Sequence, residues 1–358
     1  MANPLTQDVL VDPVVLTRAL VDLQSVSREE KEIADCVEEV LRQSPHLSVD
    51  RLGHTVMART DLGREQRVVL AGHLDTVPIN DNFPSTVQDD LIFGCGASDM
   101  KSGVALALHL AATLPDPRYD LTYLFYEAEE IDSRFNGLRL VAEARPDWLR
   151  ADFALLLEPT YGIVEAGCQG TLRALVRTTG RRAHTARAWR GVNAIHAMGG
   201  LLQRLTDYRP RAVTIDGCTY REGLNAVRIA GGVAGNVVPD ACEIEVNLRF
   251  APDRTEKQAL EHVHEVFEGF DVELTDSAAG AMPGLSAAPA REFLTAVGEQ
   301  PEAKLGWTDV ARFAALGIPA LNYGPGDPLL AHAPDEHVEI GKIRDGAATL
   351  YRWLAATD

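Results

Sequence analysis

Three short runs of unbroken apolar character constrain this chain more than any other feature. RVVLAGHLDTV (67–77), LTYLFYEAEE (121–130) and ADFALLLEPT (151–160) each read as a strand. Each also ends on titratable groups: His73 and Asp75; Glu127, Glu129 and Glu130; and Glu158. A strand apolar on both faces is buried on both faces. Around these runs lie stretches of helical period, PVVLTRALVDLQ, EKEIADCVEEVLRQ and MKSGVALALHLAATL. Strands of this kind alternating with helices predict an α/β fold with a largely parallel, doubly covered sheet. Such sheets bind ligands beyond the carboxyl ends of their strands, where all of these groups fall.

Carboxylates gathered at a buried strand mouth repel one another and lose hydration, so something cationic must offset them. The rest of the composition narrows what that is. The chain has 358 residues, enough for one large or two ordinary domains, and a net charge of -18. That charge argues against a nucleic-acid partner, whose phosphates would be repelled. No apolar run reaches the ~18 residues of a membrane helix. The opening MANPLTQDVLVDPVVL lacks a basic region followed by an apolar one, so no signal peptide is expected. The five cysteines are scattered and form no C-x-x-C, which fits free thiols in a reducing cytoplasm.

The pattern changes near Gly167. TLRALVRTTG alternates at period two; a helix (NAIHAMGGLLQRLTDY), two strands around VRIAGGVAGNVVPDACEIEVNLRF, a helix (TEKQALEHVHEVFEGF) and a strand (VELTD) follow. That order, β-α-β-β-α-β, predicts a ferredoxin-like domain. SAAGAMPGLSAAPA reads as a linker, after which helix–strand alternation resumes. The expected organisation is a catalytic domain in two segments, 1–170 and 280–358, with an inserted lid or dimerisation domain at 171–279.

Individual motifs are ambiguous. In GHLDTVP, a carboxylate beside an imidazole suits a metal-binding histidine, but also a solvated pair. Asp99 in GCGASDMKSG can be a helix N-cap or a ligand. Gly94-x-Gly96 lacks the third glycine of a dinucleotide fingerprint, and Ser98-x-x-Lys101 lacks the companion motifs of serine β-lactamases. Cys95 reads as a packing residue. Glu129 and Glu130 are adjacent, so on a strand they point to opposite sides, one free for metal and the other for proton transfer. LLAHAPDEHVEI offers both His332 and His337. Together, two histidines and at least three carboxylates form the mixed N/O set of a catalytic zinc centre, not the thiolate set of a structural one.

The succession G-H-x-D-T-V-P, G-x-G-x-x-D-M-K-x-G, E-E, L-E-P and H-x-x-D-E resembles the co-catalytic zinc aminoacylase/carboxypeptidase/desuccinylase family over nearly the whole chain. The resemblance implies two Zn2+ per subunit, with Co2+ as a substitute. One would be held by His73, Asp99 and Glu158, the other by Asp99, Glu130 and His332, with Asp99 bridging. His332 is preferred over His337 because it alone precedes the D-E pair at the family's distance. Asp75 would orient His73, Glu129 would be the general base, and the Asp99–Met100 peptide would be cis. The histidine of GRRAH, His184, would reach the active site, from the partner subunit in dimeric members. Asn236 of GNVVPD and Arg249 of NLRF would contact substrate.

Arg181, Arg182, Arg187 and Arg190 cluster around His184 in this acidic chain, as either an incidental surface or a carboxylate-recognising one. The lid resembles the desuccinylase branch, which implies hydrolysis of N-succinyl-LL-2,6-diaminopimelate by a cytoplasmic homodimer, with Arg182 and Thr308 as further substrate contacts. Two departures stand out: TDVARF (308–313) where many desuccinylases have T-S-D-G-R-F, and Cys95 where many have arginine. An acetylornithine deacetylase, aminoacylase or dipeptidase would share the metal core. A non-catalytic zinc scaffold would have lost the base, and Glu129 is present.

Overall fold

The computed structural model describes residues 3–355 and separates into two compact units. The first runs to Ala166, takes up Pro283–Glu302 and resumes at Arg312; the second is Gly167–Met282 with Ala303–Ala311. The second unit is thus slightly wider than 171–279 and recruits a short later segment.

In the first unit the strand order is Ser48–Leu52, Thr55–Arg59, Asp120–Tyr126, Arg67–His73, Phe153–Leu156, Ala320–Asn322 and Glu165–Ala166. The four strands from Asp120–Tyr126 to Ala320–Asn322 are parallel, and their neighbours on either side are antiparallel. The sheet is therefore mixed and parallel at its centre. Strands Asp120–Tyr126 and Phe153–Leu156 are buried throughout, and Arg67–His73 is buried from Val68 on, as their apolar runs require. Register pairs His73 with Tyr126 and Ala71 with Leu156, so the three carboxyl ends lie side by side. The helix Ser102–Thr113 packs against this sheet and is almost wholly buried. Its Gly103 approaches the chain so closely that a Cβ there would lie 2.0 Å from the Leu157 carbonyl oxygen. Glycine at that point lets the segment carrying Asp99 press against the mouth of the strand leading to Glu158.

In the second unit a four-stranded antiparallel sheet has the order Gly223–Gly231, Ala241–Phe250, Gly170–Thr179, Asp271–Ala278. With helices Ala194–Asp207 and Glu256–Val266 this is the ferredoxin-like arrangement. Period two in the first strand buries Leu172, Ala174 and Val176 against Met198, Leu201, Ala259 and Val263 of the helices. Asn193 caps the first helix through the Ile195 and His196 amides, and Thr255 and Gln258 form a capping box on the second. One hairpin is additional to the sequence expectation. Ala212–Ile215 pairs with Cys218–Arg221 around Asp216–Gly217, both at positive φ (49° and 86°). The expected linker is also partly structured: Ser277 and Ala278 end a strand, and Ala281 bridges back to Cys168. No helix among the described residues is long and apolar enough to cross a membrane.

Candidate metal centre

The site grows from the carboxyl ends of the parallel strands, all within the first unit. His73 ends its strand fully buried, with Nε2 3.2 Å from Asp99 Oδ1. Its Nδ1 lies 3.0 Å from the Asp75 carbonyl oxygen and 3.5 Å from Asp75 Oδ1, so both the backbone and the carboxylate of Asp75 face this ring nitrogen. Burial alone would push the His73 imidazole down. The hydrogen bonds and charges of Asp75 and Asp99 outweigh it and hold the imidazole well above its ordinary range.

Asp99 follows a glycine-rich turn, and the Asp99–Met100 peptide is cis. The turn is fastened by a carboxylate that is not among the expected site residues. Glu336, buried, accepts from Gly96 N (3.0 Å), Ser98 N (2.9 Å) and Asp99 N (2.9 Å). Its only signal in the sequence is membership of the D-E pair after His332.

Glu129 and Glu130 do not lie on a strand. The strand ends at Tyr126 and the chain turns through Ala128 at φ 57°. Strand alternation therefore does not set the direction of the two side chains; the turn does, and side chains fix the turn. Asp75, buried, accepts from Glu129 N (3.0 Å), Glu130 N (3.1 Å) and Ser27 Oγ (2.7 Å). It thus ties the imidazole to the glutamates. Burial opposes the ionised form of Asp75, but His73 and these donors prevail and lower its pKa.

Ligand-type atoms of His73, Asp99 and Glu158 lie within 4.8 Å of one another, as do those of Asp99, Glu130 and His332. Asp99 is common to both groups. His73, Glu129 and Glu130 form a third such group. His332 Nε2 is 2.8 Å from Glu130 Oε1 and 3.6 Å from Asp99 Oδ2. His332 adopts φ 64°, a left-handed conformation that costs a non-glycine residue energy and that its surroundings must hold. His337 instead packs on Phe93, ring centroids 4.8 Å apart, with Nδ1 2.7 Å from the Asp335 carbonyl oxygen. Cys95 belongs to none of these groups; its thiol faces the Val77 carbonyl. Burial and then the Asp99 charge raise the Glu130 pKa, while His73 and His332 pull it back. Three carboxylates set against two imidazoles, oxygen and nitrogen donors at this spacing, suit a divalent ion of the zinc type.

The remaining sequence candidates lie in the second unit. His184 accepts from Ala186 N at Nδ1 (3.0 Å), so its neutral ring carries the proton on Nε2. A cavity of about 670 Å³ is lined by Arg181, Arg182, Ala183, His184, Arg187 and Arg190. Arg182 is paired with Asp240 at 2.7 Å, whereas no carboxylate among the described residues pairs with Arg181, Arg187 or Arg190. Asn236 accepts from Thr185 N through its backbone oxygen. Arg249 is partly buried beside Arg173; burial and then that neighbour lower its pKa, and no carboxylate among the described residues pairs with it. Thr308 is buried, and its carbonyl faces the Cys168 thiol.

The family model described as Peptidase family M20/M25/M40 matches residues 69–356. A Mycobacterium tuberculosis (strain CDC 1551 / Oshkosh) protein that carries the name succinyl-diaminopimelate desuccinylase DapE is 59% identical over 350 residues, 97% of this chain and 99% of its own. The succinyl-diaminopimelate desuccinylase of Corynebacterium glutamicum is 49% identical over 359 residues, 97% of each chain. Among solved structures, a tripeptidase of Staphylococcus aureus aligns at TM-score 0.78 and 20% identity over 98% of both chains. A dinuclear metal binding peptidase of Bacillus subtilis aligns at 0.70 and 17%, over 95% of this chain and 96% of its own. These two share the fold.

Proposed function

We propose a substrate for this chain from one premise: it belongs to Peptidase family M20/M25/M40 and is a metal-dependent amidohydrolase. The substrate is N-succinyl-LL-2,6-diaminopimelate, cleaved to succinate and LL-2,6-diaminopimelate in the cytoplasm. The observation that carries the chemistry is the pair of donor groups sharing Asp99, with Glu129 beside them.

In this reading His73, Asp99 and Glu158 hold one zinc ion, and Asp99, Glu130 and His332 hold another. Zinc bound there supplies Lewis acidity, which makes water acidic near neutral pH and a carbonyl carbon electrophilic. Glu129 accepts the proton that the attacking water gives up as its oxygen bonds to the amide carbon. The C–N bond then breaks, and Glu129 returns the proton to the departing amine. Asp75 keeps the His73 ring oriented through both transfers. The carbonyl oxygen gains charge on the way and needs a donor. His184 meets that need through its Nε2 proton, supplied from the other subunit of a two-fold dimer. The edge strand Gly223–Gly231 supports such a dimer: among the described residues it is paired on one side only, and it exposes Val227 and Ile229.

For the substrate's carboxylates, Arg249 and the arginine-lined cavity, Arg182 included, offer planar guanidinium partners. Asn236 and Thr308 complete the proposed contacts. The names carried by the relatives at 59% and 49% identity support the succinyl group. The test is zinc-loaded protein given N-succinyl-LL-2,6-diaminopimelate and N-acetylornithine side by side, following amine release. Preference for the succinyl substrate is expected; preference for the acetyl one makes the chain a deacetylase on the same metal core.

A further inference from the structure

The turn Glu127–Glu130 has an unusual support. Its four successive amides all donate to side chains: Glu127 N to Thr55 Oγ1 (3.3 Å), Ala128 N to Glu30 Oε1 (3.1 Å), Glu129 N to Asp75 Oδ1 and Glu130 N to Asp75 Oδ2. Backbone ladders hold strands and helices in place, but here three of the four acceptors are carboxylate oxygens. Asp75 was already legible as the companion of His73. Glu30, 98 residues away in sequence from Ala128, was not.

Glu30 is fully buried. It stands at the N-cap of the helix Lys31–Arg42, yet its side chain caps none of that helix's amides. The carboxylate instead accepts from Ala128 N and, at 2.8 Å, from Arg28 N, so one oxygen anchors both segments. Its other oxygen is buried without a hydrogen-bond partner among the described residues. A buried carboxylate that forgoes its own helix and leaves one oxygen unsatisfied is costly, and what it holds is the left-handed residue immediately before Glu129. The start of the turn has further support, since the Glu127 carbonyl accepts from Gly137 N (2.8 Å) and Glu127 Oε1 accepts from His54 N (2.8 Å), while at its end the Glu130 side chain meets His332 Nε2 at 2.8 Å.

We infer that Glu30 is a positioning residue for the reaction: by holding the Ala128 amide it fixes the turn that aims Glu129 and Glu130. The inference rests on the proposed roles of those two glutamates. Two substitutions separate reach from charge. Glu30→Gln keeps an acceptor at the same reach and loses the charge; Glu30→Asp keeps the charge and falls one methylene short of Ala128 N. With zinc loaded, Glu30→Asp is expected to lower kcat ~10- to 100-fold with KM within about threefold, since a misplacement near 1 Å carries that order of loss. Glu30→Gln should lose no more than about threefold. In the full-length chain stripped of metal, hydrogen exchange of residues 127–130 should accelerate in Glu30→Asp and not in Glu30→Gln. The exchange result does not depend on what Glu129 does. If exchange accelerates as expected but kcat does not move, the assignment of base and ligand fails. If exchange of the turn is unchanged in Glu30→Asp, or if Glu30→Gln is the more damaged of the two, Glu30 does not position the turn.

Discussion

The turn Glu127–Glu130 and the loop Arg181–Arg190 both crowd like charges, and they deal with the crowding in opposite ways. At the turn the flanking acids Asp75 and Glu30 are buried and used as fasteners, each oxygen at hydrogen-bond distance taking a backbone amide. The geometry there is set before any ligand arrives, and the surplus negative charge sits between two imidazoles in fixed positions. At the loop the arginines are exposed, and Arg182 alone of the four has a carboxylate partner among the described residues. Solvent screens that charge. Rigid, buried acids suit a step that needs ångström placement; exposed arginines suit recognition of a flexible, multiply charged molecule. Perturbation at the turn should therefore appear in turnover, and perturbation at the arginines in substrate affinity.

The largest expected effect is at the turn. Glu129→Gln should lose ~100- to 10,000-fold in kcat while keeping its metal, because it removes proton transfer and leaves the donor groups of His73, Asp99, Glu158, Glu130 and His332 in place. Glu130→Gln should first lose metal, measured by competition with a chelator. If Glu129→Gln kept near wild-type turnover with metal bound, the division of labour between the two glutamates would be wrong.

His184→Ala comes next, with ~100- to 1,000-fold lost from kcat, the usual loss for one oxyanion donor. Subunit mixing sharpens the point. Inactive His184→Ala and inactive Glu129→Gln chains, combined and shown to exchange, should recover activity, because one site of the heterodimer then has both residues. Exchange without recovery would place His184 outside the other subunit's chemistry.

Arg249→Gln tests the other half of the comparison. Losing a hydrogen bond to a charged group costs about 1.5–3 kcal/mol, or roughly 10- to 100-fold. The loss should fall on KM, with kcat within a few fold. A loss confined to kcat would mean that Arg249 acts on the reacting centre.

The same contrast explains what was legible in the sequence. His73, Glu130 and Glu158 follow apolar runs that can only be buried strands, and parallel pairing brings their ends together. The ferredoxin-like unit was legible from period two and the order of elements. Glu30 and Glu336 were not, because their partners are backbone amides 98 and 237–240 residues away, and an amide leaves no mark in a sequence. Glu129 and Glu130 lie past the strand end at Tyr126, on a turn whose direction strand alternation does not encode. The hairpin at Asp216–Gly217 did carry a signal: Asp-Gly is a favoured dipeptide for a tight two-residue turn with positive φ.

The smallest effect concerns stability, and it sharpens the claim that the acids around the turn call for a cation. In the metal-free chain Asp75 and Asp99 raise the His73 pKa well above its ordinary ~6.5, despite burial. The folded state then binds that proton more tightly than the unfolded state does. The resulting stability is complete below about pH 6.5 and is lost as pH rises through the raised value. Lys101 has the opposite sign. Buried, and lowered to about 8, it favours folding increasingly as pH rises from about 8 toward its ordinary value. Between about pH 6.5 and 8 the slope therefore belongs to the histidines, and His332, raised against burial by Glu130 and Asp99, adds to it with the same sign. Across it the Tm of metal-free protein should fall by a few degrees, on a scale of roughly 2–4 °C per kcal/mol for a domain of 150–250 residues. Zinc should flatten the slope, since the metal replaces the proton as the cation between His73 and Asp99. His73→Gln should reduce it without metal, leaving the part that His332 carries. A slope that persists unchanged in His73→Gln would show that the proton offsetting these acids is held elsewhere.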